Sequence, residues 1–215
     1  MTINVSFRIL CLSLLFFIMN YAHADRNLPP AVTAPIPVTE LIDYSTYSEN
    51  VKNLISIATS LSEKKLTYLY GSSDPKNNGM DCSGTIYYLL KTAHVEDVPR
   101  SAEEMFSWAK EKGKLYPVTE QEFNSVQFSH LKPGDLLFWT GTYAATPSES
   151  GVTHVMIYLG KNKNKQPLMF GSSDGRTYQG KKMWGVSVFD FQLPNDNSKA
   201  KFVGYSCIPK LTCFP

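Results

Sequence analysis

The sequence has no long apolar run, no basic block and no cluster of histidines, and each absence excludes a class of function. A membrane-spanning helix needs about 20 consecutive apolar residues, and no such run occurs. The 21 basic and 19 acidic residues are interleaved, which argues against nucleic acid as the main partner. The four histidines are too dispersed for a metal site, so no metal or other cofactor is predicted.

The residues that are present suffice for one folded domain. Of the 215 residues, 43% are hydrophobic and 13% are aromatic, which excludes wholesale disorder. This length corresponds to a single domain with a short appendage, and no internal repeat is visible. We therefore expect a globular protein that is a monomer.

The first 24 residues have the pattern of a secretory signal peptide. Arg8 precedes the apolar stretch Ile9–Met19, and Ala22 and Ala24 supply the small residues of a cleavage site. The mature chain would then begin at Asp25 and be exported, to the periplasm or outside the cell. The alternative is a short N-terminal anchor helix, which the short apolar run and the cleavage site both disfavour.

The rest of the chain divides into a leader and a domain. Repeated prolines and little periodicity predict an extended leader or linker over residues 25–45. From Tyr47 the apolar residues recur with a helical period, and from Asp135 they recur with a period of two. Helices followed by an antiparallel sheet predict an α+β domain over residues 46–215.

Capping signals and alternation predict the individual elements. A helix should begin near Cys82, and the capping pairs Ser101/Glu104 and Thr119/Glu122 each predict a further helix. The second of these would be short and end before residue 128. Five short strands are predicted: Asp135–Thr140, Thr153–Gly160, Pro167–Ser172, Val186–Phe191 and Lys201–Ser206.

Cys82 is the candidate nucleophile. It stands in Asp81-Cys82-Ser83-Gly84, between a glycine-containing loop and a predicted helix. Unpaired N–H groups and the positive end of the helix dipole favour a thiolate at such a position, so we expect a lowered thiol pKa. The same N–H groups can receive the oxygen of a tetrahedral intermediate. The alternative is a buried, inert cysteine.

The other cysteines of the mature chain are Cys207 and Cys213. The three cysteines form an odd set, so in an oxidising compartment one thiol stays unpaired. Cys207 and Cys213 are close in sequence and can close a small loop, which would leave Cys82 free. The alternative is that both stay reduced.

A thiol nucleophile needs a base, and His154 is the best placed of the mature chain's histidines. His94 and His130 lie at a helix end and before a turn, where surface positions are expected. His154 begins a predicted strand, on the face of Met156 and Tyr158. A histidine at a strand end beside a helix N-terminus suits a Cys-His pair.

Five sequence blocks, in order, resemble the NlpC-type cell-wall cysteine peptidases. DCSG alone is a weak signal, but the blocks together extend over most of the mature domain, from about Leu66 to Ser173. The blocks are Tyr68-Leu69-Tyr70-Gly71, Asp81-Cys82-Ser83-Gly84, Pro99-Arg100-Ser101, Leu131-Lys132-Pro133-Gly134-Asp135-Leu136 and His154-Val155-Met156-Ile157-Tyr158-Leu159-Gly160.

The resemblance implies a papain-like α+β fold, with N-terminal helices packed on a five- or six-stranded antiparallel sheet. It also implies hydrolysis of peptidoglycan stem peptides, usually between D-glutamate and the diamino acid. By analogy Cys82 is the nucleophile and His154 the general base and later acid. Tyr68 would help to hold the substrate or the oxyanion, and Asp81 and Ser83 would contact the free amine of the stem peptide.

The chain departs from the family pattern at the third catalytic position. Members carry a polar residue there, often histidine, to orient the imidazole, whereas this sequence aligns Phe170. Phenylalanine cannot accept a hydrogen bond from an imidazole N–H. Ser172, Ser173, Asp174 or a backbone carbonyl could substitute, or Cys82 and His154 could work as a dyad.

Three other functions remain open at this level. The same core occurs in secreted antibacterial amidases, against which the signal peptide argues. The thioester could also serve acyl transfer rather than hydrolysis. A degenerate, inactive wall-binding module is supported only by Phe170, and the presence of both Cys82 and His154 argues against it.

Overall fold

The computed structural model describes residues 28–144 and 150–213. The predicted signal peptide and its cleavage site lie outside these residues. None of the helices within them has the length and apolar character needed to cross a membrane.

A six-stranded antiparallel sheet forms the body of the protein, as predicted. All five predicted strands are present with ends within one residue of those expected. The strands of this sheet are β3 Leu115–Pro117, β4 Leu136–Thr140, β5 Val152–Lys161, β6 Pro167–Ser173, β9 Gly185–Asp190 and β10 Lys201–Ser206. Their order across the sheet is β3-β10-β4-β5-β6-β9. Two short pairs lie outside it, β1 Thr67–Tyr68 with β2 Gly79–Met80, and β7 Thr177–Tyr178 with β8 Lys181–Lys182.

Three α-helices occur in the described ranges, and they cover one face of this sheet. They are α1 Glu49–Ser62, α2 Cys82–Thr92 and α3 Ala102–Lys112. The predicted capping box is present at α3, where the Ser101 side chain accepts the Glu104 N–H and Glu104 accepts the Ser101 N–H. Phe106 of α3 packs edge-on against Phe138 of β4, with ring centroids 5.3 Å apart. The opposite face of β4 carries Trp139, which belongs to a second apolar layer built from aromatic rings.

The helix predicted between Thr119 and Phe128 is absent, so that prediction is wrong. The segment contains only one 3₁₀ turn, Val126–Phe128. The side-chain oxygen of Gln127 accepts the N–H groups of Thr119 and Glu120, at 2.8 and 3.1 Å. These two bonds, across eight and seven residues, hold Thr119 and its neighbour in a loop, and the local capping pattern does not reveal this competition.

Residues 28–37 of the proline-rich leader are extended and pack along the outer edge of β9, but 3₁₀ turns occupy Val38–Glu40 and Tyr44–Thr46, so the prediction of an extended segment is wrong for the second half of the leader. Val32 and Trp184 exchange backbone hydrogen bonds of 3.0 and 2.8 Å. The Val188 N–H of β9 donates to the Ala34 carbonyl, and Ile36 is buried in the core. The described part of the leader therefore protects a sheet edge that would otherwise offer unpaired backbone groups.

Asp135 is a buried carboxyl group in the turn that leads into β4. It is 4% exposed, and one of its oxygens accepts the Lys132 N–H at 2.8 Å. Burial outweighs this bond and raises the pKa of Asp135 from 3.8 to about 7. The folded protein therefore binds this proton more tightly than the unfolded chain does.

We expect Asp135 to lower stability as the pH rises. Its contribution is fully present below the unfolded pKa and is lost as the pH passes through the folded value of about 7. Asp135→Asn cannot ionise and keeps an oxygen for Lys132. Its free energy of unfolding relative to wild type should rise by about 3 kcal/mol or less between roughly pH 5 and pH 8. Urea unfolding at both pH values checks this, and a difference that is independent of pH would contradict it.

The predicted disulfide joins Cys207 to Cys213, and Cys82 is a free, buried cysteine. Non-reducing peptide mapping of the purified protein should recover the 207–213 link, with Cys82 modified only after unfolding or prolonged alkylation. Replacing both bridged cysteines with serine should lower the free energy of unfolding by about 2 kcal/mol, because a small loop constrains few residues. Recovery of Cys82 in a disulfide would refute this assignment.

Candidate active site

Cys82 lies at the first position of α2 because Asp81 caps that helix. Asp81 has extended backbone geometry, and its side chain accepts the Gly84 N–H at 2.6 Å. The N–H groups of Cys82 and Ser83 have no partner within the helix and point toward the sulfur. The predicted position of Cys82 at a helix N-terminus is therefore observed.

The N-terminus of α2 sits where β5 and β6 separate. The ladder between these strands ends at Ile157 and Phe170, although β6 continues to pair with β9 as far as Ser173. Next to this opening, the Cys82 thiol lies 3.9 Å from the carbonyl oxygen of Thr153. The carbonyl that contacts the sulfur therefore belongs to the part of β5 that is not paired with β6, one residue before His154.

Asp81 also holds an ion pair that the sequence reasoning did not assign. Arg100 donates to both carboxylate oxygens, at 3.1 and 2.9 Å, and to the Ser83 hydroxyl at 2.9 Å. With the Gly71 and Gly84 N–H groups, these bonds occupy the acceptor positions of Asp81. The carboxylate therefore organises the nucleophile loop, and its contact with a substrate amine stays a prediction. Arg100 lies in one of the five blocks, which was the only sequence signal for it.

The pKa of the Cys82 thiol is raised, contrary to the lowered pKa expected from its helix position, so the thiol is protonated at neutral pH. Burial raises the pKa of Cys82 to about 11, and the nearby Asp81 carboxylate adds to the effect. Hydrogen bonds from the Val155 and Ser83 N–H groups act in the other direction but are outweighed. Only 5% of the residue is exposed, and this burial could not be read from the local sequence.

His154 is a neutral, buried imidazole beside Trp139. The two rings meet edge to face, with centroids 5.6 Å apart, and the residues are partners in the β4–β5 ladder. Burial and the positive charge of Arg176 hold the pKa of His154 well below its ordinary value of 6.5. Its Nε2 is buried and has no hydrogen-bond partner among the described residues. No hydrogen bond joins the imidazole to Cys82 in the described part of the chain.

The residues considered for the third catalytic position separate into two groups. Phe170 is fully buried and pairs with Ile157, so it faces away from His154. The Ser172 hydroxyl donates to the Met80 carbonyl at 2.7 Å and so links β6 to the segment that leads into α2. Ser173 and Asp174 do line a cavity with His154, but neither forms a hydrogen bond with its ring. Packing against Trp139 is therefore what orients the imidazole here.

Two adjoining cavities open beside the Cys-His pair. The larger, of about 600 Å³, is lined by His154, and the smaller, of about 340 Å³, is lined by Cys82, Asp81 and Ser83. Both are bordered by the same three aromatic residues, Tyr68, Tyr70 and Tyr143. Burial and the neighbouring Cys82 and Asp174 raise the pKa of Tyr68, so its hydroxyl stays protonated.

The other histidines that were considered as the base lie outside these cavities. His94 is exposed at the end of α2, and His130 stacks on Tyr116, with centroids 4.9 Å apart. Within the described ranges no group of three His, Cys, Asp or Glu side chains could hold a metal ion. Sequence reasoning did not identify Trp139 or Arg176 as site residues, because tertiary folding alone brings them beside His154.

Comparison with known proteins agrees with this geometry. The model of the NlpC/P60 family matches residues 65–183, which is more than half of the chain. The chain is 30% identical to the gamma-DL-glutamyl hydrolase of Bacillus subtilis strain 168 over 138 residues, covering 60% of the chain and 28% of that relative. It is 29% identical to the murein DD-endopeptidase MepH of Escherichia coli K12 over 124 residues, covering 55% of the chain and 39% of that relative. The match thus spans about a third of the length of these curated relatives.

Proposed function

Because the chain belongs to the NlpC/P60 family, we propose that it is an exported cysteine peptidase acting on peptidoglycan stem peptides. The bond cut would be the one between D-glutamate and the diamino acid. Cys82 would be the nucleophile, and His154 the general base that later acts as the acid. The cleavage needs no metal or other cofactor in this mechanism.

The observation that carries the proposal is the position of the one thiol that is free among the described residues. Cys82 lies at a helix N-terminus, its sulfur is 3.9 Å from the Thr153 carbonyl, and the next residue in the strand is His154. A thiol, an imidazole and backbone N–H donors therefore lie close together on the wall of a cleft. Acyl transfer through a thioester requires a nucleophile, a base and an oxyanion donor, and these groups could supply all three.

The protonation states favour proton transfer during the reaction over a preformed ion pair. A neutral thiol and a neutral imidazole are both supported by burial. When substrate arrives, the imidazole would take the thiol proton as sulfur attacks the carbonyl carbon. Catalytic hydrogen bonds are often loose before substrate binds, which is compatible with the absence of a Cys82–His154 bond.

The later steps use the same groups. The oxygen of the tetrahedral intermediate would lie against the N–H groups of Cys82 and Ser83, with the Tyr68 hydroxyl as a further donor. Collapse of the intermediate breaks the C–N bond, and the imidazolium gives its proton to the departing amine. Water, deprotonated by the imidazole, then hydrolyses the thioester and regenerates the thiol.

Export is supported by two features at opposite ends of the chain. The first 24 residues have a signal-peptide pattern, and the Cys207–Cys213 disulfide belongs in an oxidising compartment. The periplasm or the extracellular space would provide both that environment and access to peptidoglycan. We propose residues 25–45 as a leader and 46–215 as the catalytic domain.

Product masses test the function directly. Purified protein is incubated with defined muropeptides and with sacculi, and the products are identified by mass spectrometry beside a Cys82→Ala control. A new D-glutamate C-terminus and a free diamino-acid amine support the proposal. Release of cross-linked peptides at a D,D bond would instead assign the specificity in the name of the Escherichia coli relative. Aminated products would indicate acyl transfer, and unchanged substrate would refute the function.

A further inference from the structure

In the part of the chain that the structure describes, Arg176 is a cation without a counter-ion at the edge of the candidate active site. It follows β6 and lines the larger cavity together with His154. Its guanidinium carbon lies 4.3 Å from the centroid of the Trp139 ring. Within residues 28–144 and 150–213, its side chain enters no ion pair and no hydrogen bond.

A partly buried guanidinium in this state is available to bind an anion. Stacking on Trp139 compensates part of its lost hydration, but it leaves the N–H donors of the guanidinium unused. Asp174 lines the same cavity, yet its carboxylate is exposed and makes no ion pair with Arg176. Arg176 remains charged at neutral pH, since burial lowers its pKa only to about 10.

The position of His154 decides which half of the substrate this cation meets. In the proposed mechanism the imidazole protonates the departing amine, so the leaving half must occupy the cavity that His154 lines. The acyl half then lies on the Cys82 side, where the cation Arg100 is already paired with Asp81 at 2.9 Å. The unpaired positive charge is therefore on the leaving-group side of the nucleophile.

We propose that Arg176 binds a carboxylate of the leaving amino acid and so selects substrates whose released half is a carboxylate-bearing diamino acid. The inference rests on the proposed function, because that function defines the leaving half. The planar guanidinium can donate two parallel hydrogen bonds to one carboxylate. A diamino acid offers either the carboxylate beside the scissile amine or one at its far end, and both have the chemistry that Arg176 requires.

The test uses three substrates with one γ-D-glutamyl acyl half and different leaving groups. Diaminopimelate carries two carboxylates, lysine carries the near one only, and lysinamide carries neither. Wild-type kcat/KM should be about 10- to 100-fold higher for a carboxylate-bearing leaving group than for lysinamide. If diaminopimelate alone is favoured, Arg176 binds the far carboxylate; if lysine is favoured equally, it binds the near one.

Variants of Arg176 connect this selectivity to one side chain. Arg176→Gln should reduce the preference to about twofold or less, and Arg176→Lys should keep part of it. The preference is a ratio of two rates within one variant, so any change in the pKa of His154 that follows loss of the Arg176 charge affects both rates and cancels. Lys182→Gln is the matched control, because it removes an exposed positive charge on the neighbouring β8. A preference retained in Arg176→Gln, or lost equally in Lys182→Gln, would overturn the proposal.

A binding measurement keeps this inference separate from the proposed function. Free diaminopimelate, lysine and lysinamide are titrated by NMR into Cys82→Ala protein, with and without Arg176→Gln. The carboxylate ligands should bind about tenfold more weakly to the double variant, and lysinamide should be unaffected. If no γ-D-glutamyl substrate is cleaved, the proposed function fails and this titration alone decides the role of Arg176. Equal binding of all three ligands to both proteins would overturn it.

Discussion

Replacing Cys82 with alanine should lower kcat/KM for stem-peptide hydrolysis by at least about 10⁴-fold. Without the sulfur no thioester can form, and the remaining N–H donors can only position the substrate. The measurement is the single-turnover and steady-state rate on a defined stem peptide, with product identity checked by mass. Thiol alkylation of the wild type should produce the same loss, more slowly, because the thiol is only 5% exposed.

The Cys82→Ala variant should remain folded, which makes the loss interpretable. The sulfur contacts the Thr153 carbonyl at the long distance of 3.9 Å and accepts weak hydrogen bonds from the Val155 and Ser83 N–H groups, and the α2 cap on Asp81 is untouched. We expect a change in the free energy of unfolding of about 1 kcal/mol or less. Cys82→Ser is the matched control, since it keeps a hydroxyl of similar size that is a much poorer nucleophile. Turnover near the wild-type rate in Cys82→Ala would refute the mechanism.

Replacing His154 with alanine should cost about 10²- to 10⁴-fold in kcat. The thiol would lose its proton acceptor, and with a pKa near 11 it would ionise too rarely at neutral pH to compensate. The departing amine would also lose its proton donor. The rate of the variant should recover partly as the pH rises, because hydroxide then generates thiolate, whereas a purely structural defect would not show this recovery.

The residues near the missing third position should matter far less for the rate. We expect Ser173→Ala and Asp174→Asn to cost less than about tenfold, because neither side chain has a hydrogen bond to the imidazole among the described residues. Ser172→Ala should instead lower the free energy of unfolding by about 1 kcal/mol, since it removes one of the two donors to the Met80 carbonyl and leaves the Leu69 N–H at 3.2 Å. If Asp174→Asn matched His154→Ala in its loss of rate, a triad containing Asp174 would replace the dyad.

Trp139 connects these expectations to the proposed role of Arg176. The indole ring contacts both the imidazole, with centroids 5.6 Å apart, and the guanidinium, whose carbon lies 4.3 Å from the ring centroid. It would therefore position both the proposed base and the cation proposed to bind the leaving amino acid. The same neighbourhood keeps the imidazole neutral, first because the ring is buried and second because Arg176 opposes another positive charge.

Local patterns in the sequence were enough to predict most of the fold. Alternating apolar residues predicted the five long strands, and the capping box at Ser101 and Glu104 predicted the start of α3. These signals are readable because each depends on neighbours a few residues away. The strand Leu115–Pro117 was missed, since three residues are too few to show a period.

The sequence by itself determined which groups could do the chemistry: a thiol at a helix start, a histidine on a strand, and a sequence-adjacent cysteine pair. Only the tertiary structure decided their states and neighbours. The burial that raises the Cys82 thiol pKa, the Arg100–Asp81 clamp, and the approach of Trp139 and Arg176 to His154 all depend on contacts between distant segments. Desolvation and charge pairing act through space, so residue order alone could not predict that the thiol is neutral or that Arg176 has no ion partner among the described residues.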